Sequence, residues 1–244
     1  MIPKKLHYCW FGKNKKPQYI IDCINSWKIL GYEIFEWNEE NYDLNKHEYL
    51  RKNYIEKKWA FVSDYVRLDV LYKNGGIYLD TDVKIKRKIP DDFLKIDFFL
   101  GFQFDCALGT HIIGAKKESL ILKYILKEYN SFDTTKITNN IVFTDFFLKN
   151  ILNFKLNGKN QILKFNNETL KIYSKEYFSC PMFFKKNYAV HLLDNSWRNK
   201  KYIFLKNIMK QILGEKIYYN LVAYKAMKTS SNIKRYKKFM KEKK

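Results

Sequence analysis

An α/β fold is the expectation for this chain, and three observations set it. Strand-like apolar runs alternate with helical periodicities from the first residues onward, and an Asn-Gly-Gly break at 74–76 divides a strong helical stretch from a strong strand. Apolar residues make up 46% of the 244 against 29% charged, the composition of one globular domain with at most a small appendage.

The elements follow in order. Ile2 to Trp10 alternates loosely and ends at Phe11-Gly12, which predicts a buried first strand and then a Lys/Asn-rich turn closing at Pro17. From Pro17 to Leu30, Ile20, Ile21, Ile24, Trp27 and Leu30 recur at helical spacing, with Gly31 as the stop. Tyr32 to Trp37 is the next strand. Residues 47 to 73 predict a helix in two pieces, ended by Asn74-Gly75-Gly76, residues able to take positive φ. Ile77-Tyr78-Leu79 follows at once as a strand and runs into Asp80-Thr81-Asp82-Val83. Further strands are predicted at Phe98 to Phe102, Thr110 to Ala115, Gln161 to Phe165, Leu170 to Tyr173 and Ala189 to Leu192. Helices are predicted at about Ser119 to Tyr129 and Val142 to Leu152, with a helical region at the C-terminus. There is no internal repeat.

Charge is uneven. The net charge is +21, and residues 199–244 hold 14 Lys/Arg against 2 Asp/Glu. Such a basic segment suits nucleic acid, an anionic membrane face or plain solvent, and charge does not choose among them. Cysteines 9, 23, 106 and 180 have neither metal-ligand spacing nor the density of a disulfide scaffold, so they are expected reduced and mostly buried, in a cytoplasmic setting. No apolar run approaches the roughly 20 residues that span a bilayer, and the N-terminus leads into a strand instead of a signal-peptide core.

Asp80 and Asp82, two apart at a strand end, are expected to project the same way and share one small volume. Like charges that close raise a pKa or require a cation, and a hard divalent ion with a diphosphate partner satisfies both. A solvated turn is the plain alternative, weakened by the apolar strand and Gly-Gly that precede the pair. Asp64 and Arg67 stand three apart on a helix whose neighbours Phe61, Val62, Val66 and Leu68 make it largely buried, where charges need partners or a ligand. Trp10, beside a Gly turn, could offer a stacking face or fill the core, and His7 reads as a satisfied interior histidine. His191, ahead of Asp194, Ser196 and Trp197, could complete a metal site or touch phosphate. P-loop, dinucleotide, zincin and nucleophile-elbow motifs are absent.

Ile2-Pro3-Lys4-Lys5-Leu6-His7-Tyr8-Cys9-Trp10-Phe11-Gly12, Ala60-Phe61-Val62-Ser63-Asp64-Tyr65-Val66-Arg67-Leu68 and Asn74-Gly75-Gly76-Ile77-Tyr78-Leu79-Asp80-Thr81-Asp82-Val83 together resemble the family 32 glycosyltransferases. These DXD-containing sugar transferases include bacterial capsular polysaccharide and lipooligosaccharide enzymes and are related to glucosylating toxin domains. The resemblance covers roughly residues 1–130 and resumes at His191 to Trp197. It implies a GT-A fold, an α/β/α sandwich on a mostly parallel central sheet, over 1–198, with a basic helical extension at 199–244.

It further implies a UDP-sugar donor, Mn2+ or Mg2+, retention of configuration, and a glycan or lipid-linked glycan acceptor. By the same resemblance Asp82 ligates the metal, with His191 as a late ligand; Asp80 contacts ribose or sugar and metal-bound water; Trp10 stacks on uracil; Asp64 and Arg67 hold sugar hydroxyls and phosphate; Ser196 and Trp197 close over the diphosphate. Where related proteins carry a Thr-Gly-Pro stretch near the acceptor side, this chain has Thr138-Asn139-Asn140-Ile141-Val142-Phe143-Thr144, which leaves the acceptor open. The 199–244 segment reads equally as a peripheral contact with an anionic membrane, at the inner face of the cell membrane, or as a solvated helical cap. A toxin-like protein glycosyltransferase and a noncatalytic basic nucleic-acid-binding protein are the rival readings; no nucleic acid is expected.

Overall fold

Strand β1 (Lys5–Cys9) is the hinge of the architecture, because the two segments that follow it return parallel on either side of it. The computed structural model describes residues 1–131, 138–181, 187–193, 200–229 and Tyr236. Helix α1 (Gln18–Ser26) and one tight turn to Leu30 end at Gly31 with φ 66°, the predicted stop, and β2 (Glu33–Trp37) pairs parallel with β1. Helices α2 (Glu48–Ile55) and α3 (Trp59–Asn74) are the two predicted pieces, and β3 (Gly76–Leu79) then pairs parallel on the other flank of β1. The Gly-Gly break is required twice over. Gly75 and Gly76 sit at φ 64° and 111°, and a Cβ on Gly76 would meet the Lys5 carbonyl at 2.6 Å.

The remaining elements are β4 (Val83–Ile85), β5 (Phe98–Phe104), β6 (Ala107–Ala115), α4 (Leu120–Ser131), α5 (Asn139–Asn150), β7 (Gln161–Phe165), β8 (Glu168–Tyr173), the short α6 (Lys175–Phe178), β9 (Ala189–His191), α7 (Lys200–Leu213) and α8 (Glu215–Thr229). The main sheet runs β2-β1-β3-β6-β5-β8-β7. Pairing is parallel across β2-β1-β3 and between β5 and β8, and antiparallel at β3-β6, β6-β5 and β8-β7. β4 and β9 form a separate antiparallel ribbon.

Strand alternation feeds two cores, one on each face of the sheet. Phe98, Leu100 and Ile113 face α2 to α5, meeting Leu50, Val62, Val66, Ile121, Phe143 and Phe147. Leu6, Ile77, Leu79, Phe99 and Ile112 face Trp27, Leu30 and Phe178 on the other side. The α/β/α sandwich expected from the sequence is therefore the architecture the chain forms. All four cysteines are free and buried, and no helix among the described residues is long and apolar enough to cross a membrane.

Several starts differ from the sequence reading, β6 for example beginning at Ala107 instead of Thr110, and two of them have a tertiary cause. α5 begins at Asn139 instead of Val142, because apolar periodicity cannot register a polar first turn held by tertiary contacts. Strand β8 begins two residues early at Glu168, whose fully buried carboxylate accepts from Ser119 Oγ (3.0 Å) and from the Leu120 amide (2.8 Å), satisfying donors at the start of α4 that have no partner within the helix.

His7 is the satisfied interior histidine expected. Its Nε2–H donates to the Gly75 carbonyl (2.9 Å) while Nδ1 accepts from the Trp37 indole (3.1 Å), so a second ring proton would face a donor. Burial, partly countered by the Gly75 carbonyl, takes its pKa down to about 4. A base depressed in the folded state adds stability present above its ordinary pKa and lost as pH falls from about 6.5 toward 4, on the order of 3 kcal/mol. Urea melts across that interval should show His7→Gln with a shallower acid slope than the wild type; parallel slopes would refute the assignment.

Candidate active site

Trp59 to Arg67 on α3, the loop after β1, the turn after β3 and the start of α5 enclose an open cleft of about 500 Å³ at one end of the sheet. The carboxylate pair lies at its base, but strand alternation is not what joins it. β3 ends at Leu79, and Asp80 to Val83 is a turn closed by the Val83 amide on the Asp80 carbonyl (3.0 Å). Tertiary contacts complete the convergence. The β4–β9 ribbon pairs Val83 with His191, and donor atoms of Asp80, Asp82 and His191 all lie within 4.8 Å of one another.

Asp82 and His191 Nε2 are 3.2 Å apart. Burial alone would lower the imidazole pKa; the charge and hydrogen bond of Asp82, with Asp80 behind it, hold it above its ordinary value. The pKa of Asp80 is raised by burial, with Arg67 opposing and Asp82 adding to the rise. Two carboxylates and an imidazole, with His191 Nδ1 buried and unpartnered among the described residues, form a donor set that fits a hard divalent cation such as Mn2+.

Arg67 organises the other side. Its guanidinium, 5% exposed, bonds Asp64 (2.9 Å), Asp80 (3.0 Å) and the carbonyls of Thr110 (2.8 Å) and Ser63 (3.1 Å), and it lies 4.6 Å from the Tyr78 ring centre. Those bonds take four of the five N–H groups of the fork. Asp64 is also occupied at its second oxygen, by the Asn139 amide at 3.3 Å. Burial still pushes its pKa up to about 6 despite Arg67. Asp64 and Arg67, whose spacing allowed either a mutual pair or a ligand, bond each other; the tie from Arg67 to Asp80 has no counterpart in residue spacing.

The Trp10 ring lines the opposite wall, its indole N–H donating to the Asn14 carbonyl (2.7 Å) and the Lys16 ammonium 5.5 Å from its centre. Ser196 and Trp197 lie outside the described residues.

Several lining or supporting residues escaped the sequence reading. His111 on β6 stacks on His191 with ring centres 4.4 Å apart and planes at 18°. Ser179 Oγ gives its proton to the Phe102 carbonyl (2.7 Å), so His111 Nε2–H is the donor in the 2.9 Å contact with Ser179, and burial keeps that ring neutral. The His111 carbonyl also accepts from the Asp80 amide (2.9 Å). Asn140 on α5 accepts from the Thr110 amide (3.0 Å) and hydroxyl (2.6 Å) and donates to Gln103, joining the first turn of α5 to the sheet. Only Thr138-Asn139-Asn140, a polar run before an apolar helix, carried a signal for this wall.

Fold and site together define an α/β protein of the Asp-x-Asp type, with a cation-competent cluster at the base of an open cleft. Residues 17–99 match the family model described as "Glycosyltransferase sugar-binding region containing DXD motif". The chain is 28% identical over 224 residues to a protein of Acanthamoeba polyphaga mimivirus named "Uncharacterized glycosyltransferase L373", covering 81% of this chain and 84% of that one. It is 25% identical over 176 residues to "Subversion of eukaryotic traffic protein A" of Legionella pneumophila, covering 55% of this chain but only 27% of that protein. Among solved structures, the "PaToxG Glycosyltransferase" gives a TM-score of 0.48 at 20% identity, covering 61% of this chain and 69% of that one. A glycosyltransferase "involved in the glycosylation of the major capsid of PBCV-1" gives 0.43 at 14%, covering 78% and 94%. Both scores fall below 0.5, so neither bears on chemistry.

Proposed function

We propose that this chain is a metal-dependent, retaining glycosyltransferase that moves a hexose or N-acetylhexosamine from a UDP-sugar to a glycan, in a bacterial cytoplasm and toward a surface polysaccharide or lipooligosaccharide. The observation that carries the reading is the convergence of Asp80, Asp82 and His191 at the base of a cleft that Trp10 and Lys15 also line. The match of residues 17–99 to a DXD sugar-binding region supports it.

In this reading Asp82, Asp80 and His191 hold Mn2+ or Mg2+, and the cation supplies charge neutralisation to a departing nucleoside diphosphate. Trp10 offers its face to the uracil, and Lys15, exposed on the cleft wall, meets phosphate. Asp64 and Asp80 orient sugar and ribose hydroxyls. Arg67, with nearly every donor engaged, holds those two carboxylates in place and has little left for phosphate. The carboxylates lining the cleft among the described residues are Asp64, Asp80 and Asp82, tied to Arg67 or His191, which favours displacement on one face of the sugar over a glycosyl-enzyme intermediate. Ser196 and Trp197 are proposed to close over the diphosphate.

A second reading is a toxin-like enzyme with a protein acceptor, and the similarity to a Legionella protein named for the subversion of eukaryotic traffic favours it. Both readings share the donor chemistry, so the first experiment needs no acceptor. Purified chain is incubated with a panel of UDP- and GDP-sugars in Mn2+, Mg2+ or EDTA. Release of UDP from one donor, at least about a hundredfold slower in EDTA, is expected. Metal-independent release, or no UDP binding by calorimetry in Mn2+, would sink the reading.

A further inference from the structure

Helices α7 and α8 each carry an apolar stripe that no described residue covers. Leu205, Met209 and Ile212 stand at i, i+4 and i+7 on α7, and Ile217, Leu221 and Tyr224 repeat the spacing on α8. All six are exposed, Ile212 by 75% and Tyr224 by 60%. At about 100° per residue each trio occupies one narrow strip of its helix.

α8 is apolar on its opposite side as well, where Tyr218, Tyr219 and Ala223 are buried and the two tyrosines cluster with Cys180 and Val190 of the domain. The Tyr219 hydroxyl donates to the Leu192 carbonyl (3.1 Å), and Lys210 donates to that hydroxyl (2.6 Å). One face of the α8 helix is thus moored and the other is presented outward. Exposed lysines stand beside the α8 stripe, among them Lys216 and Lys225. The Lys228 ammonium lies 4.6 Å over the Tyr224 ring, and residues 199–244 carry 14 basic against 2 acidic side chains.

We propose that the consecutive helices α7 and α8 dock on an anionic bilayer, their stripes entering the headgroup boundary and their lysines meeting lipid phosphates. Charge selects this occupant. A second copy would set one strongly basic segment against another, whereas a leaflet of anionic lipid offers apolar depth beneath negative charge. The proposal goes beyond the catalytic reading and stands without it.

Co-flotation of the full chain, without donor or metal, is measured with vesicles of phosphatidylcholine alone and of phosphatidylcholine mixed with phosphatidylglycerol. The chain is expected to float with the anionic vesicles only. Binding should weaken at least about tenfold in Ile212→Ser/Leu221→Ser, which keeps every charge, and in Lys216→Glu/Lys225→Glu, which keeps both stripes. Circular dichroism should show all three proteins equally folded, since the altered side chains are exposed. Failure to float with anionic vesicles at low salt, equal flotation with neutral ones, or wild-type binding by either double variant overturns the proposal. So does a solution dimer that Ile212→Ser/Leu221→Ser makes monomeric, because a second copy then covers the stripes. Loss of flotation leaves donor hydrolysis untouched, so the two readings fail separately.

Discussion

Asp82→Ala is expected to lower donor hydrolysis by about a thousandfold while leaving the chain folded. Asp82 is the acidic member of the cluster bonded to His191, 3.2 Å away, so its removal takes away a proposed ligand atom and the charge that raises the imidazole pKa. Charge stabilisation by a bound cation amounts to several kcal/mol, and about 4 kcal/mol corresponds to three decades in rate. The fold should tolerate the change, because removing one of two adjacent carboxylates relieves repulsion felt by Asp80. Two readouts separate site from scaffold: Mn2+ binding by electron paramagnetic resonance, expected to fall in step with activity, and thermal unfolding, expected to shift by a few degrees at most. A variant that binds Mn2+ like the wild type would remove Asp82 from the metal site.

The second large effect is structural. Arg67→Met should destabilise the chain by about 3 kcal/mol, the cost of leaving two partly buried carboxylates without their buried partner, which for a chain of this size lowers Tm by about 10 °C. Four bonds vanish together: those to Asp64, Asp80, Thr110 and Ser63. Arg67→Lys should rescue little, since a single ammonium cannot span this fork of acceptors.

The pH dependence gives a sharper check. Burial already holds Asp64 at about 6 with Arg67 opposing, and Asp80 is raised for the same reason. A carboxyl raised in the folded state contributes stability that is present at low pH and lost as pH rises through its folded value. Without Arg67 both groups rise further, so the stability gap between variant and wild type should be widest at neutral pH and narrow in acid. Thermal melts across that range would contradict the placement of Arg67 if the gap were absent at neutral pH or grew on acidification.

Much of the chemistry was legible in residue order. The break at Asn74-Gly75-Gly76, the face shared by Asp64 and Arg67, and the closeness of Asp80 to Asp82 are all set within a few residues, by the φ range open to glycine and by helical and turn geometry. His7 could be judged an interior residue because its neighbours on β1 are core residues. Strand alternation, by contrast, is not what joins the carboxylate pair: a turn and the β4–β9 ribbon direct both toward His191.

Backbone period, local φ and composition suffice to set the alternation of strands and helices, the helix stops, the basic C-terminal segment and the acidic pair. Long-range packing is what lets Arg67 tie Asp64 to Asp80, lays His111 flat on His191, and has Asn139 and Asn140 bind the start of α5 to the cleft wall. Those contacts depend on β6 lying antiparallel beside β3 and on β9 pairing with β4. Strand order is fixed by how two apolar faces are buried at once across the whole sheet, a condition that no local spacing encodes.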